Sequence, residues 1–299
     1  MNVNSNWHQR AAELKPDGRA FVAGQRVASL SGATFDKHSP LDGRLLAPIA
    51  DGQSADIDVA VADARAAFVS GVWSARAPSA RKRVLQRFAE LIRAHKDELA
   101  LLETLDMGKP IGDSLKVDVP STARCIEWYA EAIDKIYGEV APTASTVLAT
   151  ITREPLGVVG AIVPWNFPLL MASWKFAPAL AMGNSVILKP SEKSPLSAIR
   201  IAELAMEAGI PPGVFNVLPG FGKGAGEPLA LHMDVDGLVF TGSTGVGKHL
   251  LQCAGQSNMK RAYMECGGKS PNVVFADAPD LQAAAEAAAI GIFFNQGEV

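Results

Sequence analysis

Short apolar runs and helix-length apolar segments alternate along the chain from residue 158 onward. The short runs are rich in β-branched residues, as buried strands are, and the longer segments space their apolar residues as helices do. Four such strand–helix repeats with short connections predict a parallel, doubly wound α/β sheet. Two more strands, at 263–265 and 272–275, and an Ala-rich helix to about residue 294 begin a second α/β unit. The predicted strands of the four repeats span residues 158–163, 186–188, 214–218 and 238–240.

The helices of these repeats have recognisable boundaries. Pro168 begins the first helix, which ends near Gly183. The second helix has Ser194 as its predicted N-cap, Pro195 at its first position and Gly209 just past its end.

The first half of the chain is predicted to be mostly helical. Glycines between short apolar runs in residues 20–50 indicate either hairpins or an irregular flank before the helices begin. Helical spacing starts at Ser54, continues in a second helix from about Val84 to before Gly108, and returns near 121–136. We interpret these apolar stripes as core-facing surfaces.

A half-polar ribbon at residues 142–151 interrupts this order. Threonine and serine alternate loosely with apolar residues there, which is typical of a strand with one face in water. We expect a hairpin that is able to extend to a partner subunit.

Composition and charge exclude several classes of function. The chain has 299 residues, of which 48% are hydrophobic and 20% charged, as in one large globular domain or two. The formal net charge of −3 gives no electrostatic reason to expect nucleic acid or a membrane surface as a partner. No apolar run approaches the roughly 20 residues of a membrane span, and residues 1–18 lack the apolar core of a signal peptide. Three scattered cysteines predict no disulfide framework and no metal site, so we expect a cytoplasmic location.

Polar side chains follow the first two strands of the repeats. Trp165 and Asn166 come after the first strand, and Lys189 and Glu192 come after the second. Ligands of open α/β sheets bind at the carboxyl edge of the strands, so these residues indicate a site for a polar cofactor. A carboxylate in this place accepts hydrogen bonds from ribose and repels a 2′-phosphate, which favours NAD over NADP. The alternative is that Lys189 and Glu192 lie in a solvated turn.

Two glycine-rich loops, at residues 220–226 and 242–247, are candidates for contacting a phosphate. Neither has the Gly-x-Gly-x-x-Gly spacing of a dinucleotide fingerprint. The second fits the phosphate-loop pattern only as far as Lys248, because His249 stands where a magnesium-binding Ser or Thr is needed. A nucleotidase is therefore a weaker alternative. A glycine-lined loop that opens a helix still offers backbone N–H groups to a pyrophosphate, and Ser243 adds a hydroxyl.

Glu265 ends a predicted strand and precedes a pair of glycines. A carboxylate flanked by apolar residues and glycines is a candidate general base, and we expect it to be desolvated. A surface turn is the alternative. Cys266 follows on the opposite face of the strand, so we interpret it as a packing residue. Asp118 and Glu127 are candidates for attracting a cationic substrate, unless they are simply solvated.

Five segments occur along the chain in a distinctive order: Pro164-Trp-Asn-Phe-Pro168, Lys189-Pro-Ser-Glu192, Phe240-Thr-Gly-Ser243, Glu265-Cys-Gly-Gly-Lys-Ser270 and Phe294-Asn-Gln-Gly297. Together they resemble the ordered motif set of the NAD(P)-dependent aldehyde dehydrogenase superfamily, and the resemblance extends from about residue 21 to residue 299. Three more segments, at 101–110, 127–135 and 257–261, resemble the branch that oxidises polyamine-derived ω-aldehydes. That branch includes γ-glutamyl-γ-aminobutyraldehyde and 4-guanidinobutyraldehyde dehydrogenases.

The resemblance implies a domain plan, a cofactor and a reaction. The plan is a Rossmann-like dinucleotide-binding domain of residues 1–136 and 152–265, an oligomerisation hairpin at 137–151, and the start of a catalytic domain at 266–299. The reaction is oxidation of an aldehyde to a carboxylic acid with NAD, through a cysteine thiohemiacetal and a thioester. The partners are the small-molecule aldehyde and further copies of the chain, as a homodimer or homotetramer at full length.

The same resemblance implies a role for each site residue. Asn166 stabilises the oxyanion and Glu265 activates the hydrolytic water, while Lys175 tunes the site from the helix beneath it. Lys189 and Glu192 hold the adenine ribose. The other implied cofactor-binding residues are Val163, Pro164, Trp165, Asn166, Ser191, Gly222, Gly226, Phe240, Thr241, Gly242, Ser243 at the pyrophosphate, and Gly267.

The chain departs from the family pattern in two places. Cys266 stands where the family has leucine, in agreement with a packing role. The nucleophilic cysteine of the family directly follows the segment that is here Asn295 to Val299, so we expect the chain to be truncated just before it. A catalytically silent dinucleotide-binding module is the alternative. The codon after Val299 distinguishes the two, because a cysteine codon indicates an interrupted enzyme and a stop codon a silent module.

We expect the 299-residue chain to form no NADH from an aminoaldehyde, even with NAD saturating. The reason is that the nucleophilic thiolate, which Asn166 and Glu265 would assist, is not among these residues. The measurement is a spectrophotometric NADH assay on the purified chain. Formation of NADH would contradict this expectation and would make Cys266 the candidate nucleophile.

Overall fold

The computed structural model describes residues 7–299. Residues 1–6, which belong to the segment 1–18 where we expect no signal peptide, lie outside the described residues. The strands are β1 (Ala20–Val22), β2 (Gln25–Val27), β3 (Thr34–His38), β4 (Leu45–Ala50), β5 (Glu139–Ala141), β6 (Ala149–Ile151), β7 (Val158–Ile162), β8 (Ser185–Lys189), β9 (Phe215–Val217), β10 (Gly237–Gly242) and β11 (Arg261–Cys266). The helices are α1 (Trp7–Glu13), α2 (Ser54–Val69), α3 (Pro78–Ala94), α4 (Lys96–Met107), α5 (Ile111–Asp113), α6 (Val119–Ala132), α7 (Pro168–Ala181), α8 (Leu196–Ala208), α9 (Glu227–Leu231), α10 (Thr244–Gln256) and α11 (Leu281–Phe293).

The central sheet has the predicted doubly wound arrangement. Its five parallel strands lie in the order β11-β10-β7-β8-β9, and β1 and β2 continue the sheet beyond β9. β7 is the first of the five along the chain yet pairs in parallel with both β8 and β10. The chain therefore builds the sheet outward from β7, first to one side and then to the other. A reversal of this kind opens a crevice at the carboxyl edge of the strands.

Helices cover both faces of the sheet. Val186 and Leu188 of β8 point into a core with α3, α7 and α8, whereas Ile187 between them points into a second core with α2 and α10. All three side chains are fully buried. Because successive side chains of a strand point to opposite faces, a parallel strand buried on both faces has a continuous apolar sequence.

The hairpins expected in residues 20–50 are present. β1 and β2 pair antiparallel, as do β3 and β4. β1 also joins the central sheet, where Phe21 lies opposite Val217 of β9 in antiparallel pairing. This long-range pairing leaves no periodic signal in the sequence, so the sequence analysis did not predict it.

The prediction of one helix from about Val84 to Gly108 is wrong, because the chain forms two helices there. α3 and α4 meet at His95, whose φ of −95° and ψ of 20° break the helical hydrogen-bond pattern. Ile92 before the break and Leu99 after it enter the same core. The apolar spacing therefore continues across the break and conceals it.

The predicted strand at 272–275 is absent from the described chain, which is irregular there. Val273, Val274 and Phe275 are exposed. Their side chains favour a strand, but a strand needs a hydrogen-bonded neighbour, and no described segment pairs with them. The predicted Ala-rich helix is present as α11, and all of its residues are at least partly exposed.

Ser194 is not the N-cap that the sequence predicts. α8 begins at Leu196, and its first N–H group donates to Asp106 Oδ2 of α4 at 2.8 Å. The Ser194 hydroxyl instead donates to the carbonyl of Trp165 at 3.1 Å. A carboxylate from a distant helix has taken over the capping, which leaves the serine to hold the loop after β7.

The half-polar ribbon forms a hairpin with a longer loop than predicted. β5 and β6 pair antiparallel, with Glu139 opposite Ile151. Residues 142–148, predicted to be strand, form the connecting loop, because Pro142 has no N–H to donate and Val147 N closes a turn on Ala144 O at 2.8 Å. Among residues 7–299, no helix is long and apolar enough to cross a membrane.

Candidate active site

A cleft of about 720 Å³ lies at the carboxyl ends of β7, β10 and β11. We call it the main cleft. It brings together Asn166, from the loop after β7, and Glu265, from the carboxyl end of β11. Glu265 lies opposite Thr241 of β10 in the parallel pairing. The predicted site residues that line it are Pro164, Trp165, Asn166, Thr241, Gly242, Ser243, Glu265 and Gly267.

Asn166 is held by the end of the chain. Its side-chain amide donates to the carbonyl of Glu298 at 2.7 Å. In return, the Asn295 amide donates to the carbonyl of Asn166 at 2.9 Å. These two bonds fix the loop after β7 against residues 294–299, so that the Asn166 amide is turned toward the segment that ends at Val299.

The sequence analysis quoted the segment with Asn295 but gave this residue no role. Asn295 is fully buried and has a left-handed backbone with φ of 51°. Asparagine is the non-glycine residue that best tolerates this conformation, and two successive left-handed residues, Asn295 and Gln296, are rare. The Gln296 amide donates to Gly108 O at 2.5 Å and anchors the turn to the end of α4. An Asn-Gln-Gly sequence was the available signal for such a turn.

Glu265 lies on the cleft side of β11 and is exposed. The expectation that it is desolvated is wrong for this chain, because the irregular residues that follow it leave the carboxyl group uncovered. Cys266 points the other way, as strand alternation predicts, and its sulfur packs against the backbone of α10. A β-carbon added at Gly247 would lie only 2.6 Å from that sulfur, so the glycine is required for this contact.

Lys175 lies outside the main cleft. It lines a neighbouring cavity of about 530 Å³, and Trp174 forms the wall between the two spaces. Burial lowers the pKa of Lys175, and the negative charge of Glu265 opposes this shift. Lys175 and Glu265 therefore interact as charges through space.

A second cavity, of about 400 Å³, lies where β7 and β8 meet α9 and α10. We call it the α10 cavity. It brings Lys189 together with the predicted residues Gly222 and Gly226. Lys189 is almost completely buried, so the alternative of a solvated turn is wrong for this residue. Its Nζ donates to Pro190 O at 2.8 Å and lies 3.7 Å from Glu192 Oε2. Burial lowers the pKa of Lys189, while Glu192 opposes the shift.

Three other predicted residues are buried and line neither of these spaces. Val163 and Phe240 are buried in the two cores of the sheet. Ser191 is buried in a turn, where its hydroxyl accepts the Lys193 N–H at 3.2 Å. Ser243, in contrast, is exposed at the start of α10 and caps it by accepting the Val246 N–H at 3.3 Å.

A buried group of ionisable side chains supports the first turn of α7. Glu103, Lys109 and Asp118 are all fully buried. Lys109 Nζ lies 2.7 Å from Asp118 Oδ2 and 4.0 Å from the ring centroid of Phe167. Glu103 Oε1 accepts the N–H of Leu169 at 2.9 Å. The sequence analysis did not identify this group, because burial of charged residues leaves no periodic pattern.

The expectation that Asp118 and Glu127 attract a cationic substrate from the surface is wrong. Asp118 is fully buried and forms an ion pair with Lys109, so it is not accessible from the surface. Glu127 pairs with Arg93 of α3 on the surface of the helical layer. In the described part of the chain, no group of three or more His, Cys, Asp or Glu side chains is arranged to hold a metal ion.

Comparison with known proteins decides the family. The family model described as the aldehyde dehydrogenase family matches residues 27–299. The chain belongs to the aldehyde dehydrogenase family. Among curated members, it is 59% identical over 293 residues to the NADP/NAD-dependent aldehyde dehydrogenase PuuC of Escherichia coli, covering 98% of this chain and 59% of the relative. It is 50% identical over 288 residues to the aminoacetaldehyde dehydrogenase of Pseudomonas aeruginosa, covering 96% of this chain and 58% of the relative.

Solved structures of the family have the same fold. An indole-3-acetaldehyde dehydrogenase of P. syringae, solved in complex with NAD+, is 64% identical with a TM-score of 0.98, covering 99% of this chain and 60% of that chain. A γ-glutamyl-γ-aminobutyraldehyde dehydrogenase of Burkholderia cenocepacia is 61% identical with a TM-score of 0.97, at the same two coverages. The chain thus spans about 60% of the length of these relatives. This confirms both the family and the α/β fold class that the motifs predicted.

We expect the stability of the chain to fall as the pH rises, because of Glu103. Burial raises the pKa of Glu103 to about 8, whereas the carboxyl group of the unfolded chain titrates near 4.5. Between these values the folded state binds one proton more, so the free energy of unfolding falls by about 1 kcal/mol per pH unit from this group. Glu103→Gln keeps the acceptor for Leu169 without titrating, so the fall should be smaller in this variant.

The measurement is urea unfolding at several pH values between 5 and 8. Glu131→Gln, on the exposed side of α6, is the matched control and should keep the slope of the wild-type chain. Equal slopes in the wild type and in Glu103→Gln would show that Glu103 is already ionised in the folded chain.

Proposed function

We propose that this chain binds NAD and that, in a polypeptide of its relatives' length, it serves the oxidation of an aldehyde to a carboxylic acid. The observation that carries this proposal is the main cleft, where the amide of Asn166 and the carboxylate of Glu265 meet at one edge of the sheet. A core needs neither group in this place. An amide donor and a carboxylate are the two groups that oxyanion formation and thioester hydrolysis require.

The residues present fit NAD. The α10 cavity offers Lys189, with Glu192 behind it, to the hydroxyls of a ribose. The N-terminus of α10, with Gly242 and Ser243, offers N–H and O–H donors to a pyrophosphate at the border of the main cleft. When bound, NAD supplies the acceptor for the hydride of the aldehyde. Because Asn166 lines the main cleft together with Gly242 and Ser243, the aldehyde carbon that is oxidised would lie in this cleft as well.

The chain's own residues divide the remaining work. The Asn166 amide donates to the carbonyl oxygen of the substrate as negative charge develops on it, a contact that replaces its present bond to Glu298 O. In the longer polypeptide, Glu265 takes a proton from the water that attacks the cysteine thioester, and the carboxylic acid and the cysteine thiolate are released. The open position of Glu265 gives that water access. Lys175, behind Trp174, adds a positive charge on the side of the main cleft where Glu265 lies.

For the substrate we propose a polyamine-derived ω-aldehyde. Support comes from the identity to PuuC and to the γ-glutamyl-γ-aminobutyraldehyde dehydrogenase. An arylacetaldehyde is the second candidate, because the indole-3-acetaldehyde dehydrogenase is 64% identical and the wall of the main cleft is apolar and aromatic. That wall is formed by Phe167, Leu170, Met171, Trp174 and Phe294.

We propose further copies of the chain as its macromolecular partner. The hairpin of β5 and β6 stands apart from the central sheet, and Val140, Val147, Leu148 and Ile151 expose apolar side chains on it. An exposed apolar ribbon is a surface that a second subunit covers. A homodimer or homotetramer in the cytoplasm, with the three cysteines reduced, is consistent with this surface.

We expect the purified chain to bind NAD, and Lys189→Met to weaken binding by about tenfold or more, because a charge-assisted hydrogen bond to ribose is lost. The measurement is isothermal titration calorimetry with NAD. Lys248→Met, an exposed lysine on the neighbouring helix, is the matched control and should bind as the wild type does.

Two results would contradict the proposal. One is the absence of NAD binding in a chain whose circular dichroism shows that it is folded. The other is tighter binding of magnesium ATP than of NAD, which would favour the phosphate-loop alternative.

A further inference from the structure

The α10 cavity contains a histidine that the proposed function does not use. His249 lies in the second turn of α10, with its side chain about half exposed at the cavity wall. Its Nε2 is 3.2 Å from Glu227 Oε2 of α9 and 3.7 Å from Cys253 Sγ, one turn further along α10. The imidazole is therefore fixed on the cavity wall by contacts on two helices.

Two positive and two negative side chains around the cavity balance each other. Lys189 of β8 and Lys223 of the glycine-rich turn supply two positive charges. Glu227 faces the cavity, and Glu192 lies beside Lys189, so two negative charges oppose them. Cys253 is buried, and burial raises the pKa of its thiol, so it stays neutral. On the far side of α10, Cys266 packs against Gly247, away from this cavity.

The charge of His249 therefore decides whether the side chains around the cavity carry no net charge or a net positive charge. Histidine is the side chain that changes its charge between pH 5 and pH 8. With a neutral imidazole the four charged groups balance, and with an imidazolium the cavity gains a net positive charge. A ribose hydroxyl is indifferent to this change, whereas a phosphate monoester, with a charge of about −1.5 to −2, is not.

We propose that His249 is a specificity-determining residue, whose protonation sets how well the α10 cavity accepts the 2′-phosphate of NADP relative to the 2′-hydroxyl of NAD. This inference rests on the proposed function, because it assumes that the cavity holds the adenosine end of the dinucleotide. The proposed role of His249 modifies the earlier expectation that Glu192 favours NAD over NADP. That carboxylate disfavours a 2′-phosphate, but Lys189 already pairs with it, and the imidazolium supplies the additional positive charge.

The expected effect is moderate, because both partners of the His249–Glu227 pair are partly exposed to water. A unit charge acting on a phosphate across a cavity of this size, in a solvated environment, changes affinity by about fivefold. We therefore expect the ratio of NADP affinity to NAD affinity to rise about fivefold between pH 8 and pH 6. The phosphate itself gains protons over this range, which works against the rise, so a variant without the imidazole is essential.

The test is isothermal titration calorimetry of the 299-residue chain with NAD and with NADP, at pH 8 and pH 6. His249→Gln should lose the rise in the affinity ratio. Glu227→Gln should shift the ratio toward NADP at both pH values, because a negative charge is removed from the cavity wall. His38→Gln, an exposed histidine on β3, should behave as the wild-type chain does.

Each outcome decides between the two claims. The same change of ratio in the wild type and in His249→Gln overturns this inference and leaves the proposed function standing. Binding of NAD without measurable binding of NADP at either pH has the same consequence. Failure of the folded chain to bind either dinucleotide overturns both claims.

Discussion

The parallel pairing of β7 with β8 on one side and β10 on the other is the constraint on which the site depends. Ile162 at the end of β7 lies opposite Lys189 of β8 and Phe240 of β10, so the loops after these strands leave the sheet at one level. Glu265 reaches the same edge because β11 pairs in register with β10. A shift of one residue in this register would turn the edge side chains to the opposite face. The main cleft and the α10 cavity are both consequences of this alignment.

Alignment of the strands places the loop after β7, but buried contacts hold it in one conformation. The Lys109–Asp118 pair lies beneath Phe167, and the ring of Phe294 packs on Phe167 at 6.0 Å. Removing charges from water is costly, and the close pairing at 2.7 Å offsets part of that cost. A loop supported in this way presents Asn166 without having to order itself when a ligand arrives, which is the advantage of a preorganised site.

The sequence predicted the elements of the fold better than their boundaries and partners. Short β-branched apolar runs identified the parallel strands, which are buried on both faces, and helical spacing identified most helices, which bury one face. The break at His95 was missed because the apolar spacing continues through it, and the strand at 272–275 was predicted from side-chain preference without a neighbour to pair with. Capping of α8 by Asp106 replaced the predicted Ser194, because a distant carboxylate provides a stronger acceptor than a local hydroxyl.

The placement of Asn166, Lys189 and Ser243 at the carboxyl edge of the sheet was predictable, because each belongs to a contiguous motif. The sequence did not reveal how far each is buried: Lys189 proved buried and Glu265 exposed, since burial depends on segments far away in the chain. Asn295 and the charged group around Lys109 were missed for the same reason. Their importance lies in contacts with the loop after β7, which only the folded chain brings together.

A crystal structure of the chain with NAD tests the central claim most directly. The account predicts the adenosine in the α10 cavity against Lys189, the pyrophosphate at Ser243, and the nicotinamide ring in the main cleft between Asn166 and Glu265. A dinucleotide bound elsewhere, or Asn166 and Glu265 turned away from the nicotinamide, would contradict it.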